Sequence, residues 1–549
     1  MHRIMLWIRI SIGRWSLITR GTDPQAYIHE VPINFVVLER SHSSSCPPPP
    51  PKKRTMDAPA PFDSSAISDT IIRTYDNIHF YVLGALLYYV SPTFRDKLSL
   101  NRGLENKGKL PVIDFQGDSK IFNILLELIY PRVDELQLRD LDIFRRASKA
   151  AQAYSMSVVE KKLKKQIMTS SFIQAEPFRS YTIAIDLGWE EVALVAARAT
   201  LQIPLKELVF IDELRDISGA EFYRFLDYRL QCEDSRNVSE VKFTKLTRLP
   251  SSGQSAGAQG HFVASSNGNL ILRSSDLVDF FVIEGLIRFV SPFFDGKFPL
   301  KEHEEVDGRP VIIVPERSEV LRGLLNLIYP GEDDPGMPDC RLWGEMVRAA
   351  RKLEIATAEK KLEKQGMALA YREPLRMYAV ASSLDFVEMA RIAALNTLSQ
   401  PLKDRTFVDE LDQITGADLF RLMRFRFNCA GAVRKVIKDS NAHTKHGLEH
   451  LRIQSHRRHT GDTKHLSSAY MSSCTACLLG LSDKLYQKLE DCPRGDTYRA
   501  ICVSDVVHRL GFPNPSQCSI NISAFNTIEK YRDGLAAAIE DAVSKVCST

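Results

Sequence analysis

The chain has 549 residues, of which 44% are hydrophobic and 26% are charged, and its formal net charge is +4. A chain of this length and apolar content can form several hydrophobic cores, which predicts about three to four domains and excludes a single small one. The small net charge excludes a chain-wide affinity for nucleic acid. Ten thinly spread cysteines favour a reducing compartment, the cytoplasm or the nucleus, over a disulfide-rich secreted protein.

Residues 1–64 are predicted to form a disordered N-terminal extension. The first 20 residues contain arginines and no acid, as in a mitochondrial presequence; the alternative is that translation starts at Met56. The run Pro47–Pro51 cannot form a core. Together with Lys52–Arg54 it is either a solvated polyproline linker or a short nuclear-import signal, and both alternatives stay open.

An internal repeat with an offset of about 200 residues decides the organisation of the chain. Chance does not produce so many matches in one order, so the chain contains two copies of one unit, from about Ser65 to Glu233 and from about His261 to Ala430. The matching segments are Tyr89-Val90-Ser91-Pro92 with Phe289-Val290-Ser291-Pro292, Leu110–Ile113 with Arg309–Ile312, Leu128–Pro131 with Leu327–Pro330, Glu160–Gln166 with Glu359–Gln365, and Ser218-Gly219-Ala220 with Thr415-Gly416-Ala417.

Three short strands are predicted in each unit. Ile71–Thr74 and Ile78–Val82 flank the polar turn Tyr75-Asp76-Asn77, and Val112–Phe115 follows after a helix. The second unit repeats these strands at Leu270–Leu272, Val278–Ile283 and Val311–Val314.

Helices account for the rest of each unit. A short apolar helix ends near Ser91-Pro92, because the residue before proline disfavours the helical region. Apolar residues at helical spacing predict further helices over Ile121–Ile129 and Val320–Ile328, each closed by Tyr-Pro. In the first unit an antiparallel helix pair follows at Phe144–Tyr154 and Val158–Ile167, and the remainder is helical with breaks at Pro177 and Pro204. The sequence thus predicts an α+β chain with two small mixed sheets, each joined to a helical bundle.

The ordered motifs resemble the BTB/POZ family. The first unit contains VSPTF, LPVIDF and LIYP, and the second contains VSPFF, RPVIIV, LIYP, AARKLEI and TGA. This combination is most similar to the expanded set of BTB/POZ proteins in mushroom-forming fungi, whose pattern is SPFF, PVI, IYP, AARKYDM and SGA. The resemblance covers both units, residues 65–430. The first unit departs from it with AAQAYSM at Ala150–Met156, and both units lack the family's common His-basic pair, holding Leu83-Gly84 and Ile283-Glu284 instead.

The resemblance implies association with other proteins. BTB domains generally pair through an apolar helix face and strand exchange, and some bind cullin-type ubiquitin ligase scaffolds. The expected partners are therefore other BTB proteins or a cullin, and the two units are expected to pair within the chain or in a homodimer. The predicted interface residues lie on the first helix of each unit: Leu86, Leu87, Tyr88 and Tyr89, with Leu286, Ile287 and Phe289. Core packing inside one unit is the alternative role of these side chains.

The C-terminal part of the chain concentrates histidines and basic residues. Cys474 and Cys477 form a Cys-x-x-Cys pair that, with His456 and His459, could hold a zinc ion. We favour a solvated linker with two incidental cysteines, since no cysteine pair lies upstream at the spacing of a zinc finger. The basic stretch also suggests an alternative function, a nuclear protein associated with chromatin or transcription, although nucleic-acid binding is the less favoured interpretation because interleaved aromatic residues are missing.

No catalytic motif is recognisable. The sequence lacks a P-loop, Gly-x-Ser-x-Gly, His-Glu-x-x-His and a dinucleotide-binding fingerprint, so we expect no enzyme, no catalytic residue and no cofactor. The longest apolar stretch, Tyr81–Val90, is far too short to span a bilayer, so we expect no membrane partner either.

The predicted function is a non-enzymatic scaffold or adaptor, with a substrate adaptor of a cullin-type ligase as its more specific form.

An amphipathic helix from Ile528 to Val546 is expected to pack around Leu485–Leu489 and Val503–Leu510. The predicted domains are a first BTB/POZ-like domain at 65–170 with a helical extension at 171–235, a flexible linker at 236–260, a second domain at 261–369 with an extension at 370–432, a basic linker at 433–470 and a small helical domain at 471–549.

Overall fold

The computed structural model describes residues 56–99, 106–107, 110–131, 136–235, 241–243, 262, 267–298, 304–329, 339–404, 406–438, 487–500 and 519–548. The predicted linker at 236–260 and the zinc-site residues Cys474, Cys477, His456 and His459 lie largely or wholly outside these ranges. The described chain is α+β, with two small mixed sheets and many helices, which confirms the predicted α+β class with its mixed sheets.

The first sheet has five strands in the order β1-β3-β2-β5-β4. β2 pairs with β3 in antiparallel and with β5 in parallel orientation, so the sheet is mixed. The turn between β2 and β3 places Asn77 at a φ of 61°, a left-handed conformation that asparagine tolerates well. The strands are β1 Met56–Asp57, β2 Thr70–Thr74, β3 Ile78–Val82, β4 Asn106–Lys107 and β5 Leu110–Phe115.

The second sheet repeats this arrangement with four strands in the order β7-β6-β9-β8. The register is also repeated, because Ile271 pairs with Val311 in the second sheet as Ile71 pairs with Val112 in the first. The strands are β6 Leu270–Arg273, β7 Asp279–Val282, β8 Glu304–Val306 and β9 Arg309–Ile313. The three predicted strands of each unit are confirmed, while β1, β4 and β8 were not predicted because two or three residues carry no alternating pattern.

In the described ranges the first repeat has nine helices and the second has eight. In the first they are α1 Gly84–Val90, α2 Pro92–Ser99, α3 Ser119–Ile129, α4 Leu141–Ala153, α5 Ser157–Thr169, α6 Phe172–Ala175, α7 Pro177–Asp186, α8 Glu190–Ala199 and α9 Gly219–Asp234. In the second they are α10 Glu284–Val290, α11 Pro292–Asp295, α12 Ser318–Ile328, α13 Cys340–Lys352, α14 Ala356–Arg372, α15 Pro374–Ser383, α16 Val387–Thr397 and α17 Gly416–Lys438. After α17 the described ranges also contain a helical stretch at 487–491, α18 Gly495–Arg499 and α19 Ser519–Ser548.

The repeated motifs correspond to side chains that satisfy helix ends. The Tyr130 hydroxyl accepts the Leu83 amide at 2.9 Å at the start of α1, and the Tyr329 hydroxyl accepts the Ile283 amide at 2.8 Å at the start of α10. Ser91 donates to the Tyr154 carbonyl and also accepts the Phe94 amide at 3.1 Å. Because the first amides of a helix lack intrahelical partners, the Tyr-Pro motif ends one helix and caps the start of another.

The Glu-Lys-Lys-Leu motif has a similar role. The Lys162 ammonium donates to the Leu128 carbonyl at 2.6 Å, and Lys361 donates to the Leu327 carbonyl at 2.8 Å. Each lysine therefore binds an otherwise unpaired carbonyl near the C-terminal end of α3 or α12, where a cation is also favoured by the helix dipole.

The core beside the first sheet is aromatic. Phe80 and Phe122 meet edge to face with ring centroids 5.1 Å apart, and Phe94 stacks on Tyr154 at 4.8 Å. Such pairs add to the stabilisation from burial alone. One continuous cluster of buried side chains runs from this core through the helices of both repeats.

Residues 56–64, which the sequence placed in a disordered extension, have a defined structure. Residues 56–57 pair with Ile78 and His79 as strand β1. Phe62 is buried and meets Tyr130 edge to face with centroids 5.2 Å apart. The segment is ordered because its backbone extends the sheet and its aromatic side chain completes the core.

α17 runs beyond the predicted domain end at residue 432 and reaches Lys438. Val433 and Ile437 on its last turns share a buried cluster with Leu535, Ile539 and Val543 of α19. Burial of this apolar stripe stabilises the extra turns of α17. The described C-terminal segments are thus packed on the second repeat, and Leu489 joins the same cluster, while residues 503–510 lie outside the described ranges.

Candidate interaction surfaces

The two repeats meet at the start of their last helices. The Gly219 amide donates to the Ile414 carbonyl at 2.7 Å, and the Gly416 amide donates to the Ile217 carbonyl at 2.8 Å. Ser218 and Thr415 form an antiparallel bridge between these bonds. The contacts are reciprocal, as a two-fold arrangement of equivalent surfaces requires, and we call this region the inter-repeat junction.

Both junction glycines lie too close to the opposite repeat for a side chain. A Cβ atom on Gly219 would be 2.8 Å from the Leu411 carbonyl oxygen and 2.8 Å from Cγ1 of Ile414. A Cβ atom on Gly416 would be 3.0 Å from the Leu214 carbonyl oxygen and 2.8 Å from Cγ1 of Ile217. The glycine in the Ser-Gly-Ala and Thr-Gly-Ala motifs therefore permits close backbone approach between the repeats. The sequence marked these motifs only as repeat landmarks.

Aromatic rings fill one side of the junction. Phe420 of the second repeat lies between side chains of the first, with centroids 5.8 Å from Phe222, 5.9 Å from Phe210 and 6.2 Å from Phe178. These rings bury a large apolar area between α7, α9 and α17 and hold the repeats together through hydrophobic packing.

The other side of the junction is less well filled. Leu375, Leu419 and Leu422 stand where the first repeat has Phe178, Phe222 and Phe225, and a cavity of about 100 Å³ lies among them. The two-fold arrangement is therefore broken by side-chain size, and the three smaller leucines line the cavity.

Charged side chains break the symmetry in the same place. Arg424 crosses the junction and donates to the Lys206 carbonyl at 2.7 Å. The equivalent position in the first repeat holds Asp227, whose carboxylate accepts hydrogen bonds and cannot donate one to a carbonyl. On that side Lys403 instead pairs with Asp234 at 2.5 Å, and this ion pair raises the pKa of Lys403.

Two buried arginines, one on α9 and one on α17, stabilise the two halves of the junction. Arg229 donates to the carbonyls of Thr200 and Ile203 at 2.7 and 2.6 Å. Arg426 donates likewise to the Thr397 and Gln400 carbonyls, and also to the Asp491 carbonyl at 2.7 Å. Burial lowers the pKa of both guanidinium groups, that of Arg426 to about 10. Arg426 thereby attaches the C-terminal segment to the second repeat.

The predicted interface residues of the first repeat are divided between core and surface. Leu87 is fully buried, Leu86 is half-buried, and Tyr88 is exposed. Tyr89 has 79% of its surface exposed. Leu87 therefore has the core-packing role that the sequence left as an alternative, and the two tyrosines form an exposed aromatic edge on α1.

The second repeat divides its predicted residues in the same way. Ile287 is buried, Leu286 is half-buried, and Phe289 is 87% exposed. Arg288 lies beside Phe289 and pairs with Glu284 and Asp295 at 3.2 and 2.9 Å. We call the exposed parts of α1 and α10 the first-helix faces. The hydrogen bonds and aromatic pairs that join the repeats lie at the inter-repeat junction, so the structure brings together α9 and α17.

The five described cysteines are free of disulfide bonds. Cys232, Cys340, Cys429 and Cys492 are buried and Cys547 is half-buried. Burial raises the pKa of Cys340 and of Cys429 to about 12, so both remain protonated thiols at neutral pH and are poor nucleophiles. Within the described ranges, no group of His, Cys, Asp and Glu side chains is arranged to hold a metal ion. Most of the basic linker at 433–470, on which the chromatin alternative depends, lies outside those ranges.

Among the described helices, none has both the length and the apolar character needed to cross a membrane. Scans of the chain against protein-family models, curated proteins and solved structures each return no match.

Proposed function

We propose that the chain is a non-enzymatic protein-interaction scaffold of the BTB/POZ type, in which two repeats joined at the inter-repeat junction present their first-helix faces to other proteins. The order of the repeated motifs supports the family assignment. The exposed aromatic residues at equivalent positions of α1 and α10, Tyr89 and Phe289, carry the functional part of the proposal.

The exposure of these rings supports docking of a partner. A large aromatic side chain buried on binding contributes more than most other residues to an interface. Tyr89 and Phe289 each follow a fully buried residue by two positions on a short helix. The neighbouring Leu87 and Ile287 anchor the helices in the core, so the exposed rings are held in place before a partner binds, which lowers the entropic cost of association.

The inter-repeat junction supports a chain with two such faces. The reciprocal glycine bonds and the Phe420 cluster involve α7, α9 and α17, and they leave Tyr89 and Phe289 exposed. Two faces on one chain bind a multivalent partner with a high effective concentration. We propose the cytoplasm or the nucleus as the compartment, supported by the five cysteines of the described ranges that form no disulfide.

The test is recovery of partners by the tagged full chain, followed by mass spectrometry, with the wild type beside the double variant Tyr89→Lys, Phe289→Lys. We expect the double variant to lose the proteins that the wild type retains. Tyr371→Lys is the matched control, because Tyr371 is also an exposed tyrosine, at 69%, and lies on a different helix, α14. It should retain the wild-type partners.

The outcomes separate the forms of the proposal. A cullin with its ring-finger subunit among the lost proteins would specify a ubiquitin-ligase substrate adaptor. Loss of only this chain or of other BTB proteins would specify an assembly scaffold. An identical set of partners for the wild type and the double variant would refute docking at the first-helix faces.

A further inference from the structure

A network of charges joins three helical segments in the first repeat. Lys149 on α4 pairs with Asp186 at the end of α7 at 2.7 Å, and its ammonium lies 4.0 Å from Asp216 in the turn before α9. Arg145, one turn earlier on α4, pairs with both carboxylates. Two cations therefore face two carboxylates, and the network is electrically neutral.

The second repeat has the same site with different residues. Arg348 on α13 occupies the position of Lys149, Ser383 that of Asp186, Gln413 that of Asp216, and Gly344 that of Arg145. Arg348 donates through Nη2 to the Ser383 hydroxyl at 3.2 Å and to the Gln413 amide oxygen at 2.5 Å. The cation is thus kept at the same junction of helices, while both carboxylates are replaced by neutral side chains.

The charge of Arg348 has no carboxylate partner among the described residues. The nearest acids are engaged elsewhere, since Glu345 pairs with Arg317 at 2.8 Å and Glu410 pairs with Arg376 at 2.9 Å. Burial lowers the pKa of Arg348, and the charges of Glu345 and Glu410 oppose this shift without reversing it. Arg348 is half-buried rather than enclosed, and its hydrogen bonds to Ser383 and Gln413 both use Nη2, which leaves Nε and Nη1 as donors for another acceptor.

We propose that Arg348, Ser383 and Gln413 form a binding site for one oxyanion group, a carboxylate or a phosphate. The first repeat supports this proposal, because there the carboxylates of Asp186 and Asp216 occupy the equivalent positions beside Lys149. A guanidinium group binds such oxyanions through parallel hydrogen bonds. The Gln413 side-chain amide can donate a further hydrogen bond to the same anion, while the Ser383 hydroxyl, which donates to the Val380 carbonyl at 2.8 Å, positions Arg348 by accepting from it. The site is independent of the first-helix faces and of the BTB/POZ assignment.

The test compares unfolding of the full chain in sodium phosphate, sodium acetate and sodium chloride at equal ionic strength. An anion that binds only the folded state raises the ratio of folded to unfolded protein about elevenfold at ten times its dissociation constant. We expect phosphate or acetate to stabilise the wild type above chloride, and the two salts distinguish the two kinds of oxyanion.

Two variants make the result specific. Arg348→Gln should lose the stabilisation by phosphate or acetate, and the double variant Ser383→Asp, Gln413→Asp should lose it because built-in carboxylates occupy the site as in the first repeat. Arg421→Gln removes a charge from an exposed arginine of α17 and should keep the full effect. The site would be overturned by equal stabilities of the wild type in the three salts, or by an undiminished effect in the double variant, which carries the first repeat's own residues and is expected to fold.

Discussion

The Gly219 amide and the Ile414 carbonyl, which belong to different repeats, are joined by a hydrogen bond of 2.7 Å. Its counterpart from Gly416 to Ile217 is 2.8 Å long. The adjacent side-chain contact, from the Ser218 hydroxyl to Asp412, spans 194 positions of sequence. The two repeats are therefore attached by their own backbones, and side-chain volume at this point decides how closely they approach.

Replacement of either junction glycine by alanine should destabilise the chain. The added Cβ would meet a carbonyl oxygen of the opposite repeat at 2.8 Å for Gly219 and at 3.0 Å for Gly416, and the backbone cannot yield as a flexible side chain could. We expect a loss of about 1–3 kcal/mol for Gly219→Ala and for Gly416→Ala. Denaturant unfolding monitored by circular dichroism measures both.

Gly431 provides the control for these variants. It lies in the same helix as Gly416, and a Cβ there would meet nothing within 4 Å. Gly431→Ala should therefore stabilise the helix by about 0.5–1 kcal/mol. Equal unfolding free energies for the junction variants and Gly431→Ala would refute the close approach.

Filling the cavity at the junction should stabilise the contact between the repeats. Leu419 lines the cavity of about 100 Å³, and the equivalent position in the first repeat holds Phe222. We expect Leu419→Phe to add about 0.5–2 kcal/mol to the free energy of unfolding. The reverse exchange, Phe222→Leu, removes contacts with Phe420 and should cost about 1–2 kcal/mol. Changes of the same sign in the two variants would contradict this account of the cavity.

Removal of the lysine caps should weaken the ends of α3 and α12. Lys162→Met and Lys361→Met keep the aliphatic part of the side chain but lose the bonds to the Leu128 and Leu327 carbonyls. We expect each to cost about 0.3–1 kcal/mol, the usual effect of a cation at a helix C-terminus. The neighbours Lys161→Met and Lys360→Met serve as matched controls and should unfold as the wild type does. Equal losses of stability at all four positions would show that the effect comes from the overall charge of the helix and not from capping of the two carbonyls.

The stability of both sheets should decrease in acid through two equivalent aspartates. Burial raises the pKa of Asp76 and of Asp276, but hydrogen bonds, chiefly from Ser119 and Ser318, outweigh it and lower both values. A carboxyl group with a lowered pKa in the folded state stabilises the fold above the pKa of the unfolded chain. This contribution is lost as the pH falls below about 4 and through the lowered folded pKa.

The measurement is the unfolding free energy between about pH 6 and about pH 3. The double variant Ser119→Ala, Ser318→Ala removes the hydroxyl donors, which lie 2.6 Å from the aspartates. It should be less stable than the wild type at the upper pH and should lose less stability on acidification. Ser170→Ala, which removes a bond to the Ile167 carbonyl instead, should leave the acid slope as in the wild type. A parallel slope for the double variant would refute the role of these carboxylates.

Local patterns were sufficient to predict much of the fold. The alternation at Ile71–Thr74 and Ile78–Val82 predicted strands that the structure confirms, and the Ser-Pro and Tyr-Pro pairs correctly predicted where α1, α3 and α12 end. These signals depend on neighbouring residues only, because proline and the side-chain period act within one turn or one strand. Strand β1, which has two residues, has no period to detect.

The sequence by itself determined that two copies of one α+β unit follow each other, since the repeat is a property of residue order alone. Only the tertiary structure decided how the copies meet. The close approach at Gly219 and Gly416, the Phe420 cluster and the neutral partners of Arg348 each depend on residues brought together from distant parts of the chain. The motifs shared by the two repeats could not predict these contacts. A sequence repeat shows which positions are equivalent, but it does not show which residues are in contact. Packing made Leu87 a core residue and left Tyr89 exposed, because the buried side of a helix is set by what lies against it.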